Sequence, residues 1–317
     1  MPTATPAFSE VFKFWLKAFW EDMTRLLKFH FTKPSELLTN PFFAVIAVCI
    51  LCFILENILP KKKNYSVTGR KGFFTDLFYV IFIDVITYGF GFYAFIWTIE
   101  WFIKFYLKSS NLELFAISAL PVWSQYLILF VLVDFSQWLA HFLLHRINFF
   151  WQFHKIHHAQ ETLGFASTRH FHFFEFFILK PFLFMPMKLI GYSATDYFLS
   201  HMWFGYFLTF YSHCNIKWSW GFLNYIIINP ETHYWHHSKN IPGRYGVNFS
   251  SILNIWDLMF GTFYLPKDKN LQPELGIPNN NVPTSFFGQL WFPFAAIFNK
   301  KIRNPLPQKK KKIEKPR

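Results

Sequence analysis

Apolar residues gather into blocks of about twenty, separated by short polar connections. The first stretch differs: Phe8, Val11, Phe12, Trp15, Phe19, Met23, Leu26 and Leu27 recur at helical spacing, with Lys13, Lys17, Glu21, Arg25 and Lys28 between them. This predicts an amphipathic helix, lying on a membrane surface or packed on the body of the protein. Met1 to Ser9 lacks the positive n-region of a signal peptide. Phe42 to Leu59 is the first spanning candidate, closed by Pro60 and Lys61, Lys62 and Lys63. Gly72 to Ile103 carries Asp76, Asp84 and Glu100 and has room for one tilted span plus a re-entrant or interfacial turn. Leu120 to Ala140 is a third candidate. Phe173 to Ile190, interrupted by Pro181 and Pro186, and the shorter Tyr197 to Ser212 form a close pair around a turn near Gly191. Beyond Asn215 the pattern is mixed. The chain ends in a basic tail, Lys309 to Arg317, expected to be disordered.

Composition strengthens the membrane reading. Of 317 residues, 53% are apolar and only 15% charged. That leaves too few charges to cover a water-soluble enzyme, and too many aromatics, including 46 Phe, for a disordered chain. The net charge is +13, but Lys and Arg gather at the ends of apolar blocks and in the tail. This suits an anionic leaflet and argues against nucleic acid. Counting spans from the basic 61–71 loop puts the basic loops on one side, which the positive-inside rule makes cytoplasmic. The basic N-terminal helix then falls on the other side, unless the first apolar segment does not cross. Cys49 and Cys52 have redox or zinc-knuckle spacing, but lie in an apolar run with no second pair, so Cys49, Cys52 and Cys214 read as lipid-facing or packed thiols.

The histidines carry the chemistry. His141 and His145 form an HxxxH; His154, His157 and His158 form an HxxHH; His233, His236 and His237 form a second. With 13 histidines in the chain, chance gives about 0.02 copies of HxxHH. On a helix, positions i, i+3 and i+4 share a face, so each box can fan its rings toward metal. Eight imidazoles exceed what one ion needs. His158 and His237 can each serve a second ion while their neighbours serve the first. Imidazole suits iron, zinc, copper and nickel alike. His30 and His201, standing alone, read as core residues. A zincin is excluded because Phe142 stands where its HExxH needs the Glu. A zinc deaminase is excluded because HxE and PCxxC are absent. A carboxylate-bridged di-iron bundle lacks its pair of ExxH motifs. Asp134 lies two helical turns before His141 on the same face, and either hydrogen-bonds a ligand or pairs elsewhere.

The chain resembles the fatty acid hydroxylase/sterol desaturase superfamily. The resemblance runs from about Asp76 to Thr262. It rests on Asp134, the three His boxes, the phrase Asn229-Pro230-Glu231-Thr232 before the third, and the closing Trp256-Asp257-Leu258-Met259-Phe260-Gly261-Thr262. His213, in His213-Cys214-Asn215, matches a further family ligand. His172 and Glu175 match part of the family's Arg-x-His-Pro-x-Glu, with His170 and Phe173 replacing the Arg and Pro and Arg169 one place early. Asn248-Phe249-Ser250-Ser251 stands where the family has NYGG. Glu175 and Asp257 are candidates for the shell around the ligands, or are buried polar residues paired elsewhere.

The resemblance implies an all-α integral membrane protein with four to five membrane-embedded helices and a cytosolic helical cap holding a di-metal histidine cluster. The expected division is an interfacial helix at 1–41, transmembrane helices at 42–133, a catalytic domain at 134–265 and an extension with a basic tail at 266–317. It implies two iron ions, with zinc able to replace them in purified protein. It implies use of O2 and two electrons to hydroxylate or desaturate a C–H bond of a sterol, fatty acyl or sphingoid chain, alkylglycerol or carotenoid. No cofactor-binding motif is present, so a separate donor, such as cytochrome b5 or a ferredoxin, is implied. Lys155, Lys239 and Arg244 beside the boxes could dock it or hold lipid phosphates. The aromatic stretches Phe173–Phe184 and Trp203–Phe210 could wall a substrate pocket. The expected location is the endoplasmic reticulum or a bacterial inner membrane, with the boxes on the cytoplasmic side. The competing readings are an inactive metal- or lipid-binding scaffold and a metal-ion transporter. Transport would place His or charged residues along several spans, whereas these boxes sit together beyond the span ends.

Overall fold

The computed structural model describes residues 41–61, 65–86, 115, 117–192, 204–217, 219–240, 246–268 and 271–299, with scattered positions between 10 and 24. Most of the N-terminal helix, His30, His201, Arg244 and the basic tail lie outside the described residues. Among those described there is no strand. Isolated bridges link Pro60 to Ile216, Ile227 to Leu253 and Ser238 to Leu275.

Helix α1 (Pro41–Ile58) matches the first apolar block and helix α2 (Phe73–Ile86) the start of the second, whose remainder, 87–103, lies outside the described residues. They pack through Val45, Val48, Cys52, Phe73 and Val80 onto Phe165, Phe210, Tyr211 and Cys214. Cys52 and Cys214 are thus packed thiols. Glu56, buried on α1, accepts the backbone N–H groups of Phe165 and Asn215 at 2.7 and 2.9 Å, tying α1 to the centre of the chain.

Helix α3 (Val122–Arg146) has 25 residues and is the one described helix long and apolar enough to cross a membrane. Its Leu129 and Val133 pack on Met187 and Ile190 of helix α5 (Phe174–Leu189). α5 continues through Pro181 and Pro186, which the sequence pattern reads as interruptions. Packing on α3 holds the turn where a proline removes a hydrogen bond.

One extended residue, Ile147, separates α3 from helix α4 (Asn148–His158). The first two His boxes therefore meet at a corner. A helical run over 204–212, α6, leads into His213. Helix α7 (Pro230–His236) has a legible start: the Asn229 side chain accepts from Glu231 N and Thr232 N, and Pro230 fills the first turn. Short helix α8 (Ile255–Met259) follows. Helix α9 (Phe286–Phe298), with Ser285 accepting from Gly288 N as its cap, lies on α4 and α5 through Phe294 and Ile297.

Candidate metal centre

Nine histidines from α3, α4, α7 and the end of α6 converge in two adjacent groups. His141, His145, His154, His158 and His236 form one; His157, His213, His233 and His237 form the other. Within each, every residue offers a ring nitrogen within 4.8 Å of the others. His158 stacks on His237 between them, with ring centroids 4.5 Å apart.

The partition follows helical spacing in a way the sequence expectation reverses. His141/His145, His154/His158 and His233/His237 are i, i+4 pairs, and each pair stays in one group. The middle residue of each HxxHH crosses: His157 leaves its box for the second group and His236 leaves its box for the first. His158 and His237, expected to cross, stay with the i−4 partners directly beneath them on the helix surface.

Four rings have their tautomer set by an acceptor behind them. The Nδ1–H of His141 donates to the Phe249 carbonyl at 2.8 Å and that of His236 to the Val247 carbonyl at 2.8 Å. His213 donates to the Thr209 carbonyl at 3.0 Å, and His154 to Glu175 Oε2 at 2.8 Å. A neutral ring that donates from Nδ1 carries its lone pair on Nε2, aimed forward. The Nε2 atoms of His141 and His154 then face each other, lone pair to lone pair, at 3.1 Å. Such a contact is repulsive unless a cation lies between. His236 Nε2 and both ring nitrogens of His145 are buried with no hydrogen-bond partner among the described residues.

In the second group, Nε2 atoms are spaced at 3.3 Å (His157 to His213), 3.0 Å (His213 to His233) and 3.1 Å (His233 to His237). With metal–nitrogen bonds of about 2.1 Å, neighbouring ligands lie about 3.0–3.4 Å apart. The donor set therefore fits two metal ions.

Burial also keeps the rings neutral, as ligation requires. It pushes His154 down to about 3 and His213 to about 4. It holds His157, His158, His233, His236 and His237 well below the ordinary histidine range, with neighbouring imidazoles adding to the effect.

The surrounding carboxylates have separate tasks. Glu175 touches His154 directly. Asp257 touches no histidine: it accepts from Phe249 N and Ser250 N, both at 2.9 Å, from Trp138 Nε1 at 3.1 Å, from Thr262 Oγ1 at 2.6 Å and from the Ser250 hydroxyl. It therefore fixes the segment whose carbonyl orients His141. Asp134 bonds elsewhere, to the backbone N–H groups of Ile252 and Leu253 and to Trp256 Nε1, at 2.8–3.1 Å. His172 stands apart from both groups: its Nε2–H donates to the Leu290 carbonyl at 3.0 Å, and its Nδ1 accepts from Phe174 N.

Sequence reasoning names Asn248 within the stretch matched to NYGG but gives it no role. Its φ of 56° lies in the left-handed region and turns the carbonyls on either side of it, those of Val247 and Phe249, toward His236 and His141. Its side chain bridges the Thr232 and Tyr264 carbonyls at 2.8 Å each. An Asn ahead of a polar turn is the available signal, since Asn tolerates this conformation.

Lys155 does not belong to a docking face. It is fully buried, with Nζ 4.4 Å from the Phe292 ring centre, because α9 covers this side of α4. Lys239 is engaged by Glu274 at 3.1 Å and Glu161 at 3.8 Å.

A cavity of about 250 Å³ abuts both groups, touching His141, His154, His157, His213 and His233. Its other walls include Phe176 and Leu179 of α5 and Gly205, Tyr206 and Thr209 of α6, within the two aromatic stretches expected to wall a pocket.

Residues 126–262 match the fatty acid hydroxylase family model. The chain is 31% identical over 191 residues to the ornithine lipid hydroxylase OlsE of Rhizobium tropici, an alignment covering 59% of this chain and 56% of that protein. It is 32% identical over 145 residues to the alkylglycerol monooxygenase of Xenopus tropicalis and 28% over 142 residues to that of Homo sapiens. These alignments cover 45% and 44% of this chain, and 31% of each relative. The chain thus spans about half the length of the first relative and under a third of the other two. No solved structure matches.

Proposed function

We propose that this chain, which carries a fatty acid hydroxylase domain over residues 126–262, is a membrane-embedded oxygenase that hydroxylates a C–H bond of a lipid at a histidine-held di-iron centre. The observation that carries this reading is the cavity: it meets both imidazole groups at once, and its remaining wall draws on α2, α3, α5, α6 and the 250–252 segment. A lipid chain seated there lies against the metals.

His141, His145, His154, His158 and His236 would hold one iron; His157, His213, His233 and His237 the other. With O2 and two electrons, such a pair supplies the oxidising power for an unactivated C–H bond. The protein's own residues do the rest. Glu175 and the carbonyls of Val247, Phe249 and Thr209 fix the ring orientations. The buried apolar walls place the chain and exclude water. Desaturation would use the same placement, and the hydroxylase and monooxygenase relatives favour hydroxylation.

The domain division at 1–41, 42–133, 134–265 and 266–317 belongs to this reading, as does a fold with four to five membrane-embedded helices. So do a cytoplasmic face for the boxes and a separate electron donor. The length and apolar character of α3 support the membrane placement.

The test is turnover. Full-length protein in liposomes with ferrous iron, a reductant and isotopically labelled O2 is expected to yield a lipid carrying one labelled oxygen atom. An iron-loaded protein that incorporates no label into any lipid class, including ornithine lipids, alkylglycerols, sphingolipids and sterols, would overturn the reading.

A further inference from the structure

The cavity has a polar wall that oxidation chemistry does not require. Arg169, from the 3-10 turn Phe165–Arg169, lines it together with Tyr206 of α6. Asp84 of α2 holds the guanidinium in a two-point fork: Nε lies 3.3 Å from Oδ2 and Nη2 lies 3.2 Å from Oδ1. Both side chains are largely buried, at 15% and 8% exposure. The rings of Tyr206 and Phe210 flank the guanidinium with centroids at 5.3 and 5.2 Å.

Charge balance sets what such a wall accepts. Asp84 neutralises Arg169, so the pair presents no net charge. Two of the five guanidinium N–H groups are taken, both by the fork with Asp84. The rest are donors held in a rigid plane. A free carboxylate would have to leave water for a cation already neutralised, with Asp84 repelling it. An uncharged oxygen loses far less hydration and still receives a hydrogen bond.

We propose that Arg169, Asp84 and Tyr206 form the polar anchor of the cavity and select lipids with an uncharged acceptor oxygen (hydroxyl, ether, ester or amide) over free fatty acids. The selected oxygen sits in the same cavity as the metal-facing imidazoles, so the oxidised carbon lies near that linkage. This last step rests on the oxygenase reading; the binding preference does not.

The experiment is competition binding without turnover. Purified full-length protein in detergent binds a pyrene-labelled alkyl chain, which is displaced by a long-chain fatty alcohol or by the fatty acid of equal length. The alcohol is expected to bind tighter by about tenfold or more, the scale of one hydrogen bond against one desolvated charge. Asp84→Asn exposes the cation and is expected to shift the ratio toward the acid by about tenfold. The double variant Asp84→Asn/Arg169→Gln removes both charges at nearly constant shape and is expected to weaken the alcohol and bring the ratio toward one. Equal or tighter binding of the acid by the wild type, or an unchanged ratio in either folded variant, overturns the proposal. Iron content of the same samples reports the metal centre separately. Normal iron without selectivity refutes the anchor alone; selectivity without iron refutes the oxygenase alone.

Discussion

At the scale of single residues, the centre depends on groups that stand behind the histidines. Glu175→Gln keeps the shape but replaces the carboxyl oxygen that accepts the His154 Nδ1–H with an amide that can also present its NH2 to the ring. Metal affinity is expected to fall by about 10–100-fold, read by titrating iron into metal-free protein against a chelator. Asn248 is constrained by its backbone: at φ 56°, Asn248→Gly keeps the turn and loses the side-chain bonds to the Thr232 carbonyl and to the Tyr264 carbonyl and N–H. Asn248→Val is strained at that φ and is expected to lose metal from the group containing His141 and His236, because both of their carbonyl partners flank position 248. Equal iron in the two variants would show that the turn does not matter. The His boxes are legible because i, i+3 and i+4 share a helix face. The crossing of His157 and His236 is not, because it depends on where the neighbouring helices stand. Carbonyl partners such as Val247 leave no trace in residue identity.

At the scale of elements, Asp134 and Asp257 fasten the closing segment to α3. Asp134→Ala leaves the N–H groups of Ile252 and Leu253 without their acceptor. At about 1–3 kcal/mol for each unsatisfied buried group, a loss of about 2–6 kcal/mol is expected, seen as a lower Tm in the purified protein. An unchanged Tm would mean that this clamp contributes nothing. Gly205 lines the cavity, and a Cβ there meets Ile252 Cδ1 at an ordinary 3.7 Å. Gly205→Leu is therefore expected to block long-chain binding while leaving iron content intact. Loss of iron would instead place Gly205 in the support of the metal groups. The start of α7 is legible because Asn-Pro-Glu-Thr is a capping sequence. The run of α5 through two prolines is not, because tertiary packing overrides local preference there. The interior place of Lys155 is also illegible, since its burial comes from α9, more than a hundred residues later.

At the scale of the molecule, the helices of the described residues bring α3, α4, α6 and α7 to one point and leave a cavity against it. That frame keeps a crowd of neutral imidazoles out of water, which makes the assembly acid-sensitive. His154 is held down to about 3 and His213 to about 4, whereas the unfolded side chains titrate near 6.5. The unfolded chain therefore binds more protons between those values. Stability is full above about pH 6.5 and falls as the pH drops from there toward about 3. Protons also compete with metal for the same Nε2 lone pairs. Tm and retained iron are expected to fall together on acidification; a Tm flat from about pH 7 to about pH 4 would contradict the neutral, buried assignment. The similarity to the fatty acid hydroxylase model and the gathering of the boxes are legible because they are written in side chains at fixed spacing. The two-group arrangement is the structural claim that spacing alone does not make. Its most direct test is elemental analysis of purified full-length protein beside His145→Ala, from the first group, and His237→Ala, from the second. About two irons per wild-type chain, with each variant retaining about one, is the expected result. No iron in folded wild type, or a single iron that either variant abolishes, would contradict it.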